Sequence, residues 1–406
     1  MRGGENSIAL SIENFMKQEA ISYLSTKKDE LFNLSQKILN QAETSYNEFN
    51  TSKIICNYLE NYGFKIEKNF QNISTAFKAT IGNGHPIICL PCDYDAVENK
   101  GHLTGHNLLC QIQIGASISL AHILTKKTEG TIMVLGCPGE YLGGSKETFL
   151  RQGVFEDVDA ILSLQPNTEN CEVISSAAII PIKISFKSDY RLSFYRDYKY
   201  NSLDASLMLC NILKILEKGF DSNKTQIDYI ISESTKDPFI KANDSTIKLL
   251  IRSKDMNTAK FIEEKIKSIA NYIGVLLDIN ATISLYQPPS HPLTPSPTLS
   301  RILTNNLKES GIINLNENTV LNDGISLGSV STKIPTVNHL ISITGEDELI
   351  KYGTLEFAKA TLTPLADEIA FKATQSIIST AIDLLEAPHL LTEAKLELSQ
   401  IKSKLY

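Results

Sequence analysis

No lysine- or arginine-rich run dense enough to track phosphates occurs in this 406-residue chain, whose formal net charge is −7. That shortage argues against nucleic acid and anionic membrane surfaces, and neither is expected as a partner. No uninterrupted apolar run reaches the roughly 18 residues of a membrane span. The opening residues, MRGGENSIALSIENF, lack a continuous apolar segment followed by small residues, so no signal peptide is expected. Cysteine is sparse and unpatterned. The seven (Cys56, Cys89, Cys92, Cys110, Cys137, Cys171 and Cys210) form an odd set without framework spacing, several inside apolar runs. They read as buried, reduced thiols of a cytoplasmic protein.

What the chain does have is apolar material, 42% of its residues, enough to fill the cores of two or three domains. Between Ile12 and Phe64, as in ELFNLSQKILNQAETSYNEFNTSKIICNYLENYGF, apolar residues recur three and four apart. That spacing predicts helices, the last closed by Gly63. Strand-like runs follow: STAFKATIG, PIICLPCDYD, GTIMVLGCPGE and DAILSLQP. Apolar runs ending in Gly, Pro and acidic residues mark strands buried on both faces of an α/β sheet, with functional groups at their C-terminal ends. LLCQIQIGASISLAHILTK, between two of these, reads as a buried helix.

From about Ala177 the texture changes. AAIIPIKISFKSD, NSLDASLMLCNILKILEKGF, TQIDYIISES, STIKLLIRSK, TAKFIEEKIKSIANYIGVLL and INATISLYQPP read as strand, helix, strand, strand, helix and strand. That β-α-β-β-α-β order predicts a ferredoxin-like module, closed by Pro288, Pro289 and Pro292. The expected fold is a large α/β domain with a mixed central sheet flanked by helices. It comprises residues 1–176 and 291–406 and is interrupted by the small module at 177–290.

Four places put polar groups at or just beyond the expected C-terminal ends of strands. They are CDYDA (Asp93, Asp95), GHLTGHN (His102, His106, Asn107), CPGEYLGGSK (Glu140) and SLQPN (Gln165). Loops that follow different strands of an open α/β sheet converge on one crevice. Each alone has a plainer reading: a histidine after glycine often serves a turn, Asp95 could cap one, and Glu140 could be solvated at a loop tip. Together they suggest a site with Glu140, His102 and His106 as acid–base groups. His122 reads as a core or boundary residue, and His85, His291 and His389 as turn residues beside prolines. His339 could face the crevice. Glu263, Glu264 and Lys265 read as a solvated helix face.

The order of these motifs resembles the zinc amidohydrolase and metallopeptidase family of aminoacylase, carboxypeptidase G and aminobenzoyl-glutamate hydrolase. Its amidohydrolase branch carries Asp-x-Asp-Ala-Leu and then Gly-His-x-Cys-Gly-His-Asn/Asp. Gly-Thr-(apolar)-Pro-Ala-Glu-Glu-Gly-Gly-Gly and Asp-Ala-(apolar)-His-Pro follow. This chain reads DYDAVENKGHLTGHN, GTIMVLGCPGEYLGGSK and VDAILSLQPN at matching places, and the similarity continues through LLIRSK, GSVSTKIPT and YGTLEFAKA. The resemblance implies a peptidase-like domain, with the inserted module as lid and dimerisation domain of a homodimer. It also implies two zinc ions that acidify a shared water while a glutamate takes its proton.

Carried over position by position, the general base falls on Glu140 and one metal ligand on His106. The other ligand positions fall on Thr104, Tyr141, Gln165 and Gly353, which bind zinc weakly or not at all. His106 is then a vestigial ligand, and no cofactor is expected although the family uses zinc. In the lid, polar positions of the family fall on Leu192 and Phe239, and Arg252 matches a family arginine. Asp95, Asn107, Arg252 and Phe239 are the expected substrate contacts. Arg252 would meet a carboxylate. Phe239 and Leu192 would favour an acyl or aromatic group in a small acylated amino acid or dipeptide-like ligand.

Three functions stay open. The first is a metal-free ligand-binding protein or partner subunit. The second is a metal-independent enzyme that makes or breaks an amide, ester or thioester bond with Glu140, His102 and His106. The third is an active metallo-amidohydrolase, which would need a site rebuilt from residues such as Cys92, Cys137 and Asp93. Both cysteines otherwise read as small buried hydrophobes.

Overall fold

The computed structural model describes residues 15–124, 129–172, 174–194, 199–220, 225–316, 319–321, 324–345 and 347–405. The stretch read as carrying no signal peptide lies, apart from Phe15, outside these residues. The chain divides into two compact units. One comprises residues 1–175, 294–319 and 329–406, and the other 176–293 with 320–328.

The first unit is built on a six-stranded mixed sheet. Its strands are β1 (Lys65–Lys68), β2 (Phe77–Asn83), β3 (Ile87–Asp93), β4 (Gly130–Cys137), β5 (Ala160–Asn167) and β6 (Thr336–Ser342), in the order β1-β2-β4-β3-β5-β6. β2 runs antiparallel to both β1 and β4, whereas β4, β3, β5 and β6 are parallel. β3, β4 and β5 are buried along almost their whole length, which explains why they read as continuous apolar runs rather than alternating ones.

The helix His106–Leu124 packs on β3, β4 and β5 and against the helices Lys28–Gln41 and Pro364–Glu386. Among the described residues it alone is long and apolar enough to cross a membrane, with a mean hydropathy of 1.3, and it is 94% buried inside the protein. Its polar side chains bond within the protein: Gln113 Nε2 donates to the Leu162 carbonyl at 3.0 Å. Interspersed His, Asn, Gln and Ser keep it from being an uninterrupted apolar run, so it reaches that length on mean hydropathy alone.

The second unit has four antiparallel strands in the order Asn280–Leu285, Ala178–Lys187, Asp244–Ser253 and Thr225–Glu233. With the helices Ser202–Glu217 and Met256–Leu277 this gives the ferredoxin-like β-α-β-β-α-β arrangement. Ile247, Leu249 and Ile251 alternate inward to meet Leu209, Leu213, Ile262 and Ile266 from the helices. Asn201 caps the first helix through a capping box, and Asp255 caps the second by accepting from the Thr258 amide at 2.8 Å. The unit reaches slightly beyond the expected 177–290 and includes the segment 320–328. That segment is drawn in because Gly324 lies against Ile179, where a Cβ would come within 2.2 Å, and because Ser290 Oγ donates to the Ile325 carbonyl at 3.0 Å.

Candidate functional site

In the ladder between β3 and β4, Asp93 stands opposite Cys137, so the loops leaving these strands start side by side. The second loop turns at Gly139, whose φ of +80° suits glycine. The Tyr46 ring covers that turn so closely that a Cβ on Gly139 would lie 2.4 Å from it. Buried Glu48 ties the same turn to the N-terminal helices. Its carboxylate accepts from the amides of Gly139 (2.9 Å) and Tyr46 (2.8 Å) and from the Thr75 hydroxyl (2.9 Å). Burial raises the Glu48 pKa and pushes the Tyr46 phenol up to about 12.

Glu140 follows this turn, and its partner is a residue that sequence reasoning missed. The Lys146 ammonium, wholly buried, bridges Asp93 Oδ1 and Glu140 Oε2, the latter at 2.9 Å. Burial works against the charge on Lys146, but the two carboxylates outweigh it and hold the ammonium protonated. Burial drives Asp93 up to about 6 against the pull of Lys146. Nothing in GGSK marks this lysine as special; it gains two acidic partners only when β3 and β4 lie side by side.

Asp95 is buried and organises the other half of the site. It accepts from Ser45 Oγ at 2.6 Å and from the Tyr141 amide at 3.0 Å. His106 Nδ1 donates to the Asp95 backbone carbonyl (2.9 Å) and stands 3.1 Å from Oδ1. Burial would lower the His106 pKa, but Asp95 lifts it to about 9. Asp95 itself is pushed up by burial and brought below its usual value by His106, Ser45 and the Tyr141 amide. It positions the histidine rather than presenting a free carboxylate.

Two of the expected ligand positions meet each other. Thr104 Oγ1 and the Tyr141 hydroxyl are 2.6 Å apart, and the Thr104 amide donates to the same phenol oxygen at 3.2 Å. The Tyr141 ring lies 4.9 Å from the His106 ring, and burial raises the phenol pKa, so it stays protonated. The loop bearing Thr104 rests on the end of β5: a Cβ on Gly105 would sit 3.1 Å from Pro166. Next to Pro166, Gln165 Nε2 donates to the Tyr352 hydroxyl at 2.7 Å, and its Oε1 accepts from Asn338 at 3.4 Å. Gly353 follows Tyr352 with φ +80° and open space around it.

Other candidates lie elsewhere. His102 Nε2 stands 3.1 Å from the Ile38 carbonyl, sealed under the loop, where burial and then His106 lower its pKa to about 4. Asn107 also points inward, donating to Ser35 Oγ (3.1 Å) and Thr361 Oγ1 (3.0 Å) and tying helices together. Both side chains bond into the interior, and the His102 ring lies 6.5 Å from that of His106. His339 is a core histidine, bonded to Thr304 Oγ1 at 3.1 Å. Cys92 and Cys137 are wholly buried, and burial pushes both thiols well up. Among the described residues no three His, Cys, Asp or Glu side chains group as metal ligands. In the second unit Arg252 is already ion-paired with Asp228. Phe239 is exposed, its ring 5.6 Å from that of Phe194, on a short ribbon where Leu192 pairs with Ile240.

No family model matches the chain. In sequence it is 25% identical over 381 residues to a subunit of the p-aminobenzoyl-glutamate hydrolase of Escherichia coli K12, covering 86% of this chain and 76% of that protein. It is 23% identical over 406 residues to the Xaa-Arg dipeptidase of Mus musculus, covering 94% and 92%. Among solved structures it superposes on the aminobenzoyl-glutamate utilization protein of Klebsiella pneumoniae with TM-score 0.66 and 12% identity, covering 84% and 96% of the two chains. A dinuclear metal-binding peptidase of the M20 family from Bacillus subtilis gives TM-score 0.60 and 16% identity, covering 89% and 99%. The two sequence relatives are thus a hydrolase subunit and a dipeptidase. The fold is the one these solved structures share, a mixed central sheet flanked by helices.

Proposed function

We propose that this chain is an M20 homologue that works without a dinuclear metal centre and binds a small acylated amino acid or dipeptide-like amide beside Glu140 and His106. The observation that carries the reading is the 2.6 Å hydrogen bond between Thr104 and Tyr141. Two positions that resemble a thiolate and a carboxylate ligand instead hold neutral hydroxyls that satisfy each other. Gln165 is bonded to Tyr352, and Gly353 has no side chain. A zinc site takes about four thiolate, imidazole or carboxylate ligands, and His106 alone among these five positions supplies one. The donor set does not fit the metal. The Lys146 ammonium between Asp93 and Glu140 adds a positive charge that an incoming dication would have to overcome.

The ligand class follows from the relatives, whose names are those of enzymes acting on aminobenzoyl-glutamate and on Xaa-Arg dipeptides. The E. coli relative is one subunit of its hydrolase, and a partner-subunit role is the companion form of this reading. A homodimer through the second unit is supported by Ile230 and Ile231, exposed on the edge strand Thr225–Glu233, and by exposed Tyr272, Val275 and Leu276. A cytoplasmic setting is supported by the cysteines, all seven free thiols.

A second reading, metal-independent amide chemistry, is favoured by one arrangement. Glu140 is held by Lys146 and His106 by Asp95, an acid and a base fixed on adjacent loops. Thermal-shift titration with carboxylated acyl amides, together with turnover of the same compounds with and without zinc, tests both. Stabilisation without turnover is expected. Zinc-dependent turnover contradicts the first reading, and zinc-independent turnover abolished by Glu140→Gln favours the second.

A further inference from the structure

The proton count of the Thr104–Tyr141 pair leaves one donor over. The Tyr141 oxygen already accepts from the Thr104 amide at 3.2 Å, and the two hydroxyl oxygens share one hydrogen bond at 2.6 Å. A phenol is the more acidic hydroxyl and an aliphatic oxygen the better acceptor, so the shared proton is the phenol's. The phenol then accepts from one amide and donates to Thr104, while the Thr104 hydroxyl proton has no acceptor among the described residues. His106 borders the pair, its Nε2 without a hydrogen-bond partner among the described residues. Asp95 Oδ2 accepts from Ser45 and the Tyr141 amide, Asp95 Oδ1 faces His106 Nδ1 at 3.1 Å, and Glu140 Oε2 accepts from Lys146.

We infer that the Thr104 hydroxyl binds the carbonyl oxygen of the ligand's amide, with Thr104 Oγ1 as the direct donor and the Tyr141 phenol filling its acceptor side. A site whose pattern resembles one for cations has become, in this chain, a donor to a neutral oxygen. The inference rests on the ligand class proposed above, and it predicts an asymmetry that a merely structural pair would not show. Thr104→Val removes the donor. Tyr141→Phe leaves Thr104 its own proton and so preserves binding.

N-benzoylglycine, an acylated amino acid with one amide carbonyl, is the probe, titrated calorimetrically into the full-length chain. Thr104→Val should weaken binding about 3- to 10-fold, the range for one neutral hydrogen bond. Thr104→Ser should restore it, and Tyr141→Phe should stay within about 2-fold of the parent. Equal binding by Thr104→Val and the parent, a loss confined to Tyr141→Phe, or no binding of the probe by the parent would overturn the inference. Metal content is measured on the same samples. Bound metal would defeat the metal-free reading on its own terms, whatever the order of the two variants.

Discussion

The hydroxyl oxygens of Thr104 and Tyr141 stand 2.6 Å apart, on loops that follow β3 and β4. That one short bond ties the two loops together. The sheet around it has the fold of the dinuclear metal-binding peptidase of Bacillus subtilis.

If only the donors have changed, restoring them should restore binding. The combination Thr104→Cys, Tyr141→Glu, Gln165→His and Gly353→His should bind zinc in competition with a chelating dye where the parent does not. Gly353 has open space for a side chain, although its φ of +80° adds about 1–2 kcal/mol of strain. A folded variant that takes up no more zinc than the parent would show that these positions do not converge.

Lys146 is a buried cation between two acids, and removing it leaves uncompensated charge. Lys146→Met should lower unfolding free energy by roughly 3–5 kcal/mol, read from urea denaturation. Adding Asp93→Asn should recover part of the loss. A cost below about 1 kcal/mol would mean that water reaches the pair.

Glu48 acts over a long sequence separation, holding the Gly139 turn that presents Glu140. Glu48→Ala leaves buried amides without an acceptor and should cost about 1–3 kcal/mol. Glu48→Gln keeps an acceptor oxygen and should cost less. Equal losses for the two would assign the role to the charge rather than the bonds.

At the opposite end of the sheet, Asp159 meets His85 Nδ1 at 2.7 Å, the Ile87 amide at 2.7 Å and Lys395 Nζ at 2.5 Å. Burial pushes its carboxyl up, but Lys395, His85 and the Ile87 amide bring it below its ordinary value. A carboxyl lowered on folding stabilises the protein above its unfolded pKa, near 3.9, and loses that contribution as pH falls through the folded value. Asp159→Asn should therefore be less stable at neutral pH, and its melting temperature should fall less steeply than the parent's between about pH 4.5 and 2.5. Parallel curves would contradict the assignment.

The sequence made the sheet legible because β3, β4 and β5 announce themselves as apolar runs ending in polar residues. It also made legible the loops carrying Asp95, Thr104, His106 and Glu140, which do lie together. Lys146, Glu48 and Ser45 were not legible, since their partners lie 53, 91 and 50 residues away and no local pattern records such distances. His102 and Asn107 misled for the opposite reason. Their motif is local, but the bonds they make, His102 to the Ile38 carbonyl and Asn107 to Ser35 and Thr361, come from distant segments.

The metal content of the purified chain tests the central claim most directly. Elemental analysis for zinc, manganese, cobalt and nickel, after dialysis against metal-free buffer without chelator, should find far less than one equivalent per chain. Close to the two equivalents of a dinuclear centre, retained through dialysis, would contradict the account.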